Sequence, residues 1–222
     1  MSYYIQIGAG AGDQDARVNF KDGFTKFVKN IKLDKNDKIL LIEANPLNIK
    51  KLKECWKNYE NKKIFNLALV DKNFSEKDIK LYYTEDDRPC YQVTSLFYSH
   101  VKKHYPTSKI LELHTETKNI NSFLNTEVGN DIIKYLAIDA EGIDFDLMMD
   151  IDYQNFDIQN ISFEVLHLNL KQKKKIKEKL MSNGYSYFGR GFDPHGYDLM
   201  FKKKMNPYLW FKTKFFVRKL KK

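Results

Sequence analysis

Cysteine is scarce, with only Cys55 and Cys90 in 222 residues. Neither stands in a CxxC or CxxH spacing, so the cysteine-based zinc and redox motifs are excluded. Two thiols in a long, lysine-rich chain fit a reducing, cytosolic compartment. Long apolar runs are also missing. None approaches the ~20 residues of a membrane-spanning helix. The N-terminus has no basic region ahead of an apolar stretch and turns strand-like at Tyr3, so no signal peptide is expected. There is no internal repeat, and no low-complexity segment except the lysine-rich end. A basic excess is absent from most of the chain. Nine basic residues and no acidic one lie from Lys202 to Lys222, and the 29 basic residues before them equal the 29 acidic ones. The net charge of +9 therefore sits in the tail. A body that is formally neutral does not predict a nucleic-acid-coating surface, whereas the tail could touch something anionic.

What is present is an alternation of apolar, strand-like runs with amphipathic, helix-like ones. Strands are expected at Tyr3–Ile7, Lys38–Ile42, Ile64–Leu69, Lys134–Ile138 and Ile161–Leu166. Helices are expected at Phe20–Ile31, Pro46–Tyr59, from about Ile143, and at Lys171–Met181, the last closed by Asn183-Gly184. Tyr185–Phe188 and Tyr197–Phe201 read as a terminal antiparallel pair. Between Asp71 and Lys118 the rhythm is lost, and we expect a strand at Ile79–Tyr83, a short helix at Ser95–His104 and a strand at Leu111–Thr115. The alternation predicts a doubly wound α/β/α domain of three layers. Its mostly parallel, seven-stranded Rossmann-like sheet would end in an antiparallel strand. The domain would span residues 1–204, with 71–118 as a substrate-recognition insertion and 205–222 as a basic aromatic tail.

Three places carry chemistry. The first is Gly8-Ala9-Gly10-Ala11-Gly12, directly after the first strand, where the lack of side chains lets a nucleotide ligand come close to the backbone. The second is Glu43, in Ile42-Glu43-Ala44-Asn45-Pro46. A carboxylate at this strand end can accept from a ribose diol. The third is Asp139-Ala140-Glu141-Gly142 after Ile138, joined by Glu164 and His167 at the next strand end. Four titratable groups on neighbouring strand ends make a candidate acid–base or hydroxyl-binding site. The cofactor reading turns on electrostatics. A dinucleotide wants GxGxxG, but Asp13 replaces the last glycine and Asp15 follows. Carboxylates there would repel a pyrophosphate by ~1 kcal/mol or more each. S-adenosylmethionine has no phosphate and is cationic, so it is favoured over NAD(P). An NAD(P)-dependent oxidoreductase and a non-catalytic nucleotide-binding module are the competing readings. Neutrality of the body, and the lack of an Asn/Asp-Pro-Pro-Tyr/Phe motif, count against a nucleic-acid methyltransferase.

These pieces, in this order, resemble the FkbM-type methyltransferases, a class I family that mostly O-methylates sugars and other small hydroxyl compounds. The match runs through Ile5–Gly12, Ile42-Glu43-Ala44-Asn45-Pro46, Asn66-Leu67-Ala68-Leu69, Thr94-Ser95-Leu96, Ile138-Asp139-Ala140-Glu141-Gly142 and Phe163-Glu164. Gln6 stands where an acidic residue is frequent on the first strand, and Ala44 and Ala137 replace a proline and a lysine. The resemblance implies S-adenosylmethionine bound by Gln6, Gly8, Ala9, Gly10, Gly12, Asp15, Glu43, Ala44, Asn66, Leu67, Ala68 and Asp139. Catalysis is expected from Asp139, His167 and Glu141, and acceptor binding from Glu141, Glu164, Ser95 and Arg88. The acceptor is expected to be a sugar, glycan or related small molecule. Asp139, Glu141, Glu164 and His167 could supply ligands to Mg²⁺, but no metal is assigned. Tyr82, Tyr83, Tyr91 and the segment Gly189–Gly196 are further candidates for acceptor contact. The tail suggests peripheral contact with an inner membrane surface, or a dimer partner, on an otherwise cytoplasmic protein.

Overall fold

The first strand is apolar on both faces, and the structure buries it at the centre of a sheet. In this computed structural model, residues 1–13, 22–192 and 196–204 are described. Strand β1 (Ser2–Ile7) pairs in parallel with β2 (Asp37–Ile42) on one side and β7 (Ile132–Ile138) on the other. Ile7 is opposite both Ile42 and Ile138, so the three strands end level. β3 (Lys62–Phe65) extends the sheet beyond β2, and β8 (Asn160–Glu164) extends it beyond β7. β10 (Asp198–Lys203) runs antiparallel between β8 and β9 (Tyr185–Arg190). The order β3-β2-β1-β7-β8-β10-β9 is that of a doubly wound, Rossmann-like sheet, with one reversed strand as expected. Strand order switches direction between β1 and β7. A crevice must open above their carboxyl ends, because the following connections diverge to opposite faces.

The alternation of side chains divides the core in two. Tyr3, Ile5, Ile7, Leu40 and Ile42 face one layer, built by α4 (Ile120–Glu127), α5 (Asp144–Asp150) and α6 (Leu170–Ser182). Tyr4, Ile39, Leu41 and Tyr135 face the other, built by α1 (Gly23–Asn30) and α2 (Pro46–Cys55). Ile5, Leu41, Leu52 and Trp56 are fully buried. Each such aliphatic side chain contributes roughly 1.5–3 kcal/mol on transfer from water. Local signals set the helix starts. Asp22 caps α1 by accepting from Thr25 N, Asn45 caps α2 by accepting from Leu47 N, and Asn169 with Gln172 forms a capping box on α6.

Two expectations are corrected, and one helix is added. The run Ile64–Leu69 is not one strand. Asn66 donates its amide to the carbonyls of Glu43 and Ala44, which turns the chain out of the main sheet. Ala68–Val70 then forms β4 of a second sheet, parallel to β6 (Leu111–Asn119). β5 (Asp78–Tyr83) completes that sheet, antiparallel to β6. The helix α3 (Tyr98–His104) begins later than Ser95, because Ser95 exchanges two backbone hydrogen bonds with Tyr82 (2.8 and 3.0 Å) and belongs to this sheet's edge. α4 was not anticipated. Its apolar face, Ile120, Phe123 and Leu124, follows an Asn119 cap, but it is only eight residues long. The start of the expected first helix, Asp193–His195 and the tail 205–222 lie outside the described residues. No helix among the described residues is long and apolar enough to cross a membrane.

Candidate active site

The crevice above β1 and β7 is a cavity of about 330 Å³, lined by the turn Gly8–Gly12, the loop after β2, β4, the segment Tyr91–Leu96, α3 and the turns after β7 and β8. Its floor is set by Gly8. This residue sits at φ +79°, and a Cβ there would fall 1.6 Å from the carbonyl oxygen of Asp139. The need for glycine here is therefore contact between two strand ends, not room for a ligand. Gly12 is similar, since a Cβ would meet Cys55 Sγ at 2.7 Å. Gly10 differs. It is at φ +53° with nothing within 4 Å of an added Cβ, so of the three it alone has open space where a side chain would stand.

Glu43 closes that turn from the side. Its Oε2 accepts from Gly10 N (2.6 Å) and its Oε1 from Asn45 N (2.7 Å). Burial raises its pKa, opposed by these two donors and by the Asn48 side chain. Each carboxylate oxygen has a second lone pair, so the group can still accept from a ligand. Ala44, Asn48, Leu67 and Ala68 also line the crevice. Asn66 does not line it. It braces the loop that carries Glu43. Gln6 is likewise not a lining residue. Its amide donates to Asp22 Oδ1 (2.8 Å), and Asp22, which sequence reasoning passed over, faces the crevice instead. The signal was Asp22-Gly23-Phe24-Thr25, a helix cap. Asp13 does not line the crevice either and pairs with Lys29 at 3.4 Å, so its presumed repulsion of a pyrophosphate falls away. Asp15 lies outside the described residues.

The acidic turns meet as expected. Carboxyl oxygens of Asp139, Glu141 and Glu164 all lie within 4.8 Å of one another. Each ionised pair at that spacing costs about 1–4 kcal/mol, depending on solvent screening. Burial is the first cause that raises the Asp139 pKa well above the usual carboxylate range, followed by Glu141, Glu164, Asp144 and Asp198. Asp139 Oδ1 is shut off from solvent and makes no hydrogen bond. The turn itself is rigidly held. Asp144 accepts from Ala140 N (2.8 Å) and Gly142 N (3.3 Å), and Ser95 Oγ donates to the Glu141 carbonyl (3.1 Å). Glu141 is forced to φ +41°, a sparsely populated conformation for a side-chain-bearing residue.

Two histidines face Glu141. His167 Nε2 is 3.4 Å from Glu141 Oε2 and 3.8 Å from Glu164 Oε2, and His100 Nε2 is 3.6 Å from the same Glu141 oxygen. The Glu141 carboxylate raises the His167 pKa, whereas burial lowers that of His100. His100 and His104, four apart on α3, both line the cavity and were missed, although their i, i+4 spacing was visible. Arg88 is not brought to the site. It is exposed, paired with Glu85 and hydrogen-bonded to Tyr91, and only Tyr91 of the candidate tyrosines lines the crevice. Phe192 of the Gly189–Gly196 segment stacks on Phe27 (4.1 Å) over the α1 layer, not on the crevice.

Among the described lining residues there are five carboxylates, Asp22, Glu43, Asp139, Glu141 and Glu164, and no lysine or arginine. In a chain with 38 basic residues, this is a site that selects against anions. The profile of the methyltransferase FkbM domain matches residues 6–187. The chain belongs to the FkbM methyltransferase family. It is thus a methyltransferase that uses S-adenosylmethionine, with a substrate acceptor to match. That donor is a phosphate-free nucleoside with sulfonium and ammonium groups, and the crevice fits it in size, in charge and in its open space at Gly10. No curated protein matches the sequence. Solved structures of similar fold include a putative RNA methyltransferase from Pyrococcus horikoshii (9% identity, 92% of this chain and 74% of that one, TM-score 0.39). A precorrin-6y C5,15-methyltransferase from Geobacter metallireducens shares 14% identity over 91% of this chain and 79% of that one (TM-score 0.42). Aeropyrum pernix fibrillarin with natively bound S-adenosylmethionine shares 10% over 90% and 64% (TM-score 0.42). Likenesses this distant do not bear on the acceptor.

Proposed function

We propose that this FkbM-family enzyme methylates a hydroxyl oxygen of an uncharged sugar, glycan or related small molecule. One observation carries the reading: five acidic groups and no lysine or arginine among the described residues that line the crevice. Phosphorylated or polyanionic acceptors would meet repulsion there, whereas sugar hydroxyls can donate to carboxylates. The backbone of Gly8–Gly12 cradles the nucleoside, Glu43 accepts from the ribose hydroxyls, and Ala44, Leu67 and Ala68 supply an apolar wall for the base. Asp22 takes the place of the acid that β1 lacks, facing the donor's ammonium group.

S-adenosylmethionine supplies a sulfonium-bound methyl group that is electrophilic towards oxygen. The protein's task is to orient the acceptor and remove its proton. Asp139 is suited to take that proton. Burial, and then the neighbouring Glu141 and Glu164 carboxylates, raise its pKa, and a carboxylate of raised pKa is the stronger base. Glu164 and Ser95 line the same end and orient the acceptor hydroxyls. The test is incubation of the enzyme with labelled S-adenosylmethionine and a panel of extracted glycans and small polyols, read by mass spectrometry. A gain of one methyl on a neutral hydroxyl compound is expected. Transfer only to RNA or to protein side chains would refute the acceptor reading, and calorimetric binding of NAD but not of S-adenosylhomocysteine would refute the donor site.

A further inference from the structure

We infer that His100, Glu141 and His167 form a binding site for a divalent transition-metal ion at the acceptor end of the crevice. This deepens the proposed function, on which its catalytic role rests. The three donors come from separate elements, α3 and the turns after β7 and β8, yet their ligand atoms lie within 4.8 Å of one another.

The distances are informative. Both imidazole nitrogens approach one oxygen, Glu141 Oε2, at 3.4 and 3.6 Å. That is long for an N–H···O hydrogen bond, which centres near 2.9 Å. It matches the edge of a tetrahedron whose ligands stand ~2.0–2.1 Å from a central ion, an edge of about 3.3–3.4 Å. The Glu141 oxygen between the two rings is shut off from solvent and makes no hydrogen bond. Its carboxylate is aimed there by a backbone in the left-handed region, fixed by Asp144 and Ser95. Strain held by such bracing is a mark of a functional position. The His100 and His167 rings meet edge to face, 4.7 Å apart between centroids, so the two side chains are already gathered at one point.

Two imidazoles and one carboxylate suit a borderline ion such as Zn²⁺, Co²⁺ or Fe²⁺, not Mg²⁺, which prefers oxygen ligands. Three protein ligands leave a coordination position open, as in catalytic sites. His100, Glu141 and His167 line the same crevice as Asp139 and Glu164. An acceptor hydroxyl on the ion loses its proton more readily, because the ion lowers its pKa. Asp139 is then the proton acceptor, and His167 holds the ion.

The experiment titrates chelator-stripped full-length protein with Co²⁺ and follows its visible d–d absorption, with Zn²⁺ competition and calorimetry in parallel. One ion per chain is expected. His100→Ala, His167→Ala and Glu141→Gln should each weaken binding by about a hundredfold or more, since even outer-shell partners contribute 10–100-fold. His114→Ala, at an exposed His114–Asp78 pair, should change nothing. S-adenosylhomocysteine binding by His100→Ala should stay within about twofold, a readout that also shows the variant is folded; His100→Asn repeats the test with less lost volume. Unaltered Co²⁺ binding in the His100 and His167 variants, loss of it in His114→Ala, or preferential Mg²⁺ binding that ignores both histidines would overturn the site. Co²⁺ binding without S-adenosylhomocysteine binding would instead sink the donor site and leave the metal site standing.

Discussion

Replacing Gly8 by alanine tests whether the crevice floor is built by contact between strands. At Gly8 the chain must adopt φ +79°, which costs an L-residue roughly 1–2 kcal/mol. The added Cβ would also overlap the Asp139 carbonyl, at 1.6 Å. That oxygen is backbone and cannot swing away. The turn after β1 must lift off the end of β7, where Asp139 N donates to Ile7 O at 2.9 Å and Gly8 and Ala9 donate to Ile42 O at 2.9 and 3.0 Å. Overpacking of this kind costs about 1–3 kcal/mol, and strain on one or two of these hydrogen bonds adds about 1 more. The sum, about 3–6 kcal/mol, is a large share of the 5–15 kcal/mol that stabilises a typical domain.

Gly10→Ala is the matched control. Its φ is also positive, at +53°, but its Cβ would meet nothing within 4 Å, so only about 1 kcal/mol of backbone strain is expected. Thermal unfolding measures the difference. For a chain of this length each kcal/mol moves Tm by roughly 2–4 °C, so Gly8→Ala should melt roughly 6–24 °C lower and Gly10→Ala only a few degrees lower. S-adenosylhomocysteine affinity should rank differently, because the methyl of Gly10→Ala projects into the crevice. If the two variants melted within 2–3 °C of one another, at about the wild-type temperature, the close contact between Gly8 and Asp139 would be refuted.

Other perturbations separate binding from stability. Asp139→Asn should lower turnover by about a hundredfold or more while S-adenosylhomocysteine affinity stays within several-fold, as expected when a proton acceptor is lost; unchanged turnover would remove Asp139 from the chemistry. The same variant should be more stable than wild type near pH 7. The folded-state pKa of Asp139 is raised, so its contribution is greatest below the unfolded value of ~3.9 and is lost as pH rises through the folded value. Tm against pH should therefore fall less steeply above about pH 4 in Asp139→Asn than in wild type. Glu43→Ala should weaken S-adenosylhomocysteine binding by tenfold or more and also lower Tm, since Gly10 N and Asn45 N lose their acceptor. Asn66→Ala, which frees the bend between β3 and β4, should cost about 1–2 kcal/mol in denaturant unfolding, with a secondary loss of donor affinity through the Glu43 loop.

The main sheet was legible because parallel strands buried on both faces read as short apolar runs. Tyr3–Ile7, Lys38–Ile42 and Lys134–Ile138 stand out against a lysine-rich background. The strand ends were legible too, since an acid or glycine directly after such a run has few structural reasons to be there; Glu43, Asp139, Glu141 and Glu164 were found this way and all line the cavity. What failed depended on contacts between distant segments. Ile64–Leu69 looks continuous until Asn66 is seen bonding to the carbonyls of Glu43 and Ala44, more than twenty residues away. Gln6 looked like a ligand contact, but its partner is Asp22, which itself lines the crevice. Asp13 looked like a pocket acid, and Lys29 of α1 claims it. His100 sits in the stretch whose rhythm was unreadable, and only the pairing of Ser95 with Tyr82 brings α3 over the turn after β7.

That placement gives the crevice two unlike halves. Glu43 is answered by a backbone donor on each oxygen, and Asp22 by the Gln6 side chain and Thr25 N. Carboxylates with fixed donors keep their position as a ligand binds, and so suit recognition of a cationic nucleoside. At the other end Asp139 and Glu141 each hold an oxygen with no hydrogen bond, crowded against one another and against Glu164. Acids left in that state resist ionising together, and the charge can be settled by a proton or by a cation. A proton on Asp139 relieves the crowding but leaves Glu141 between two imidazoles at 3.4 and 3.6 Å. A divalent ion there relieves all three acids at once and lowers the Asp139 pKa. The pH at which turnover half-saturates should accordingly fall when Zn²⁺ or Co²⁺ is supplied to stripped enzyme. A profile unmoved by metal would leave the proton, and not an ion, as the neutralising charge.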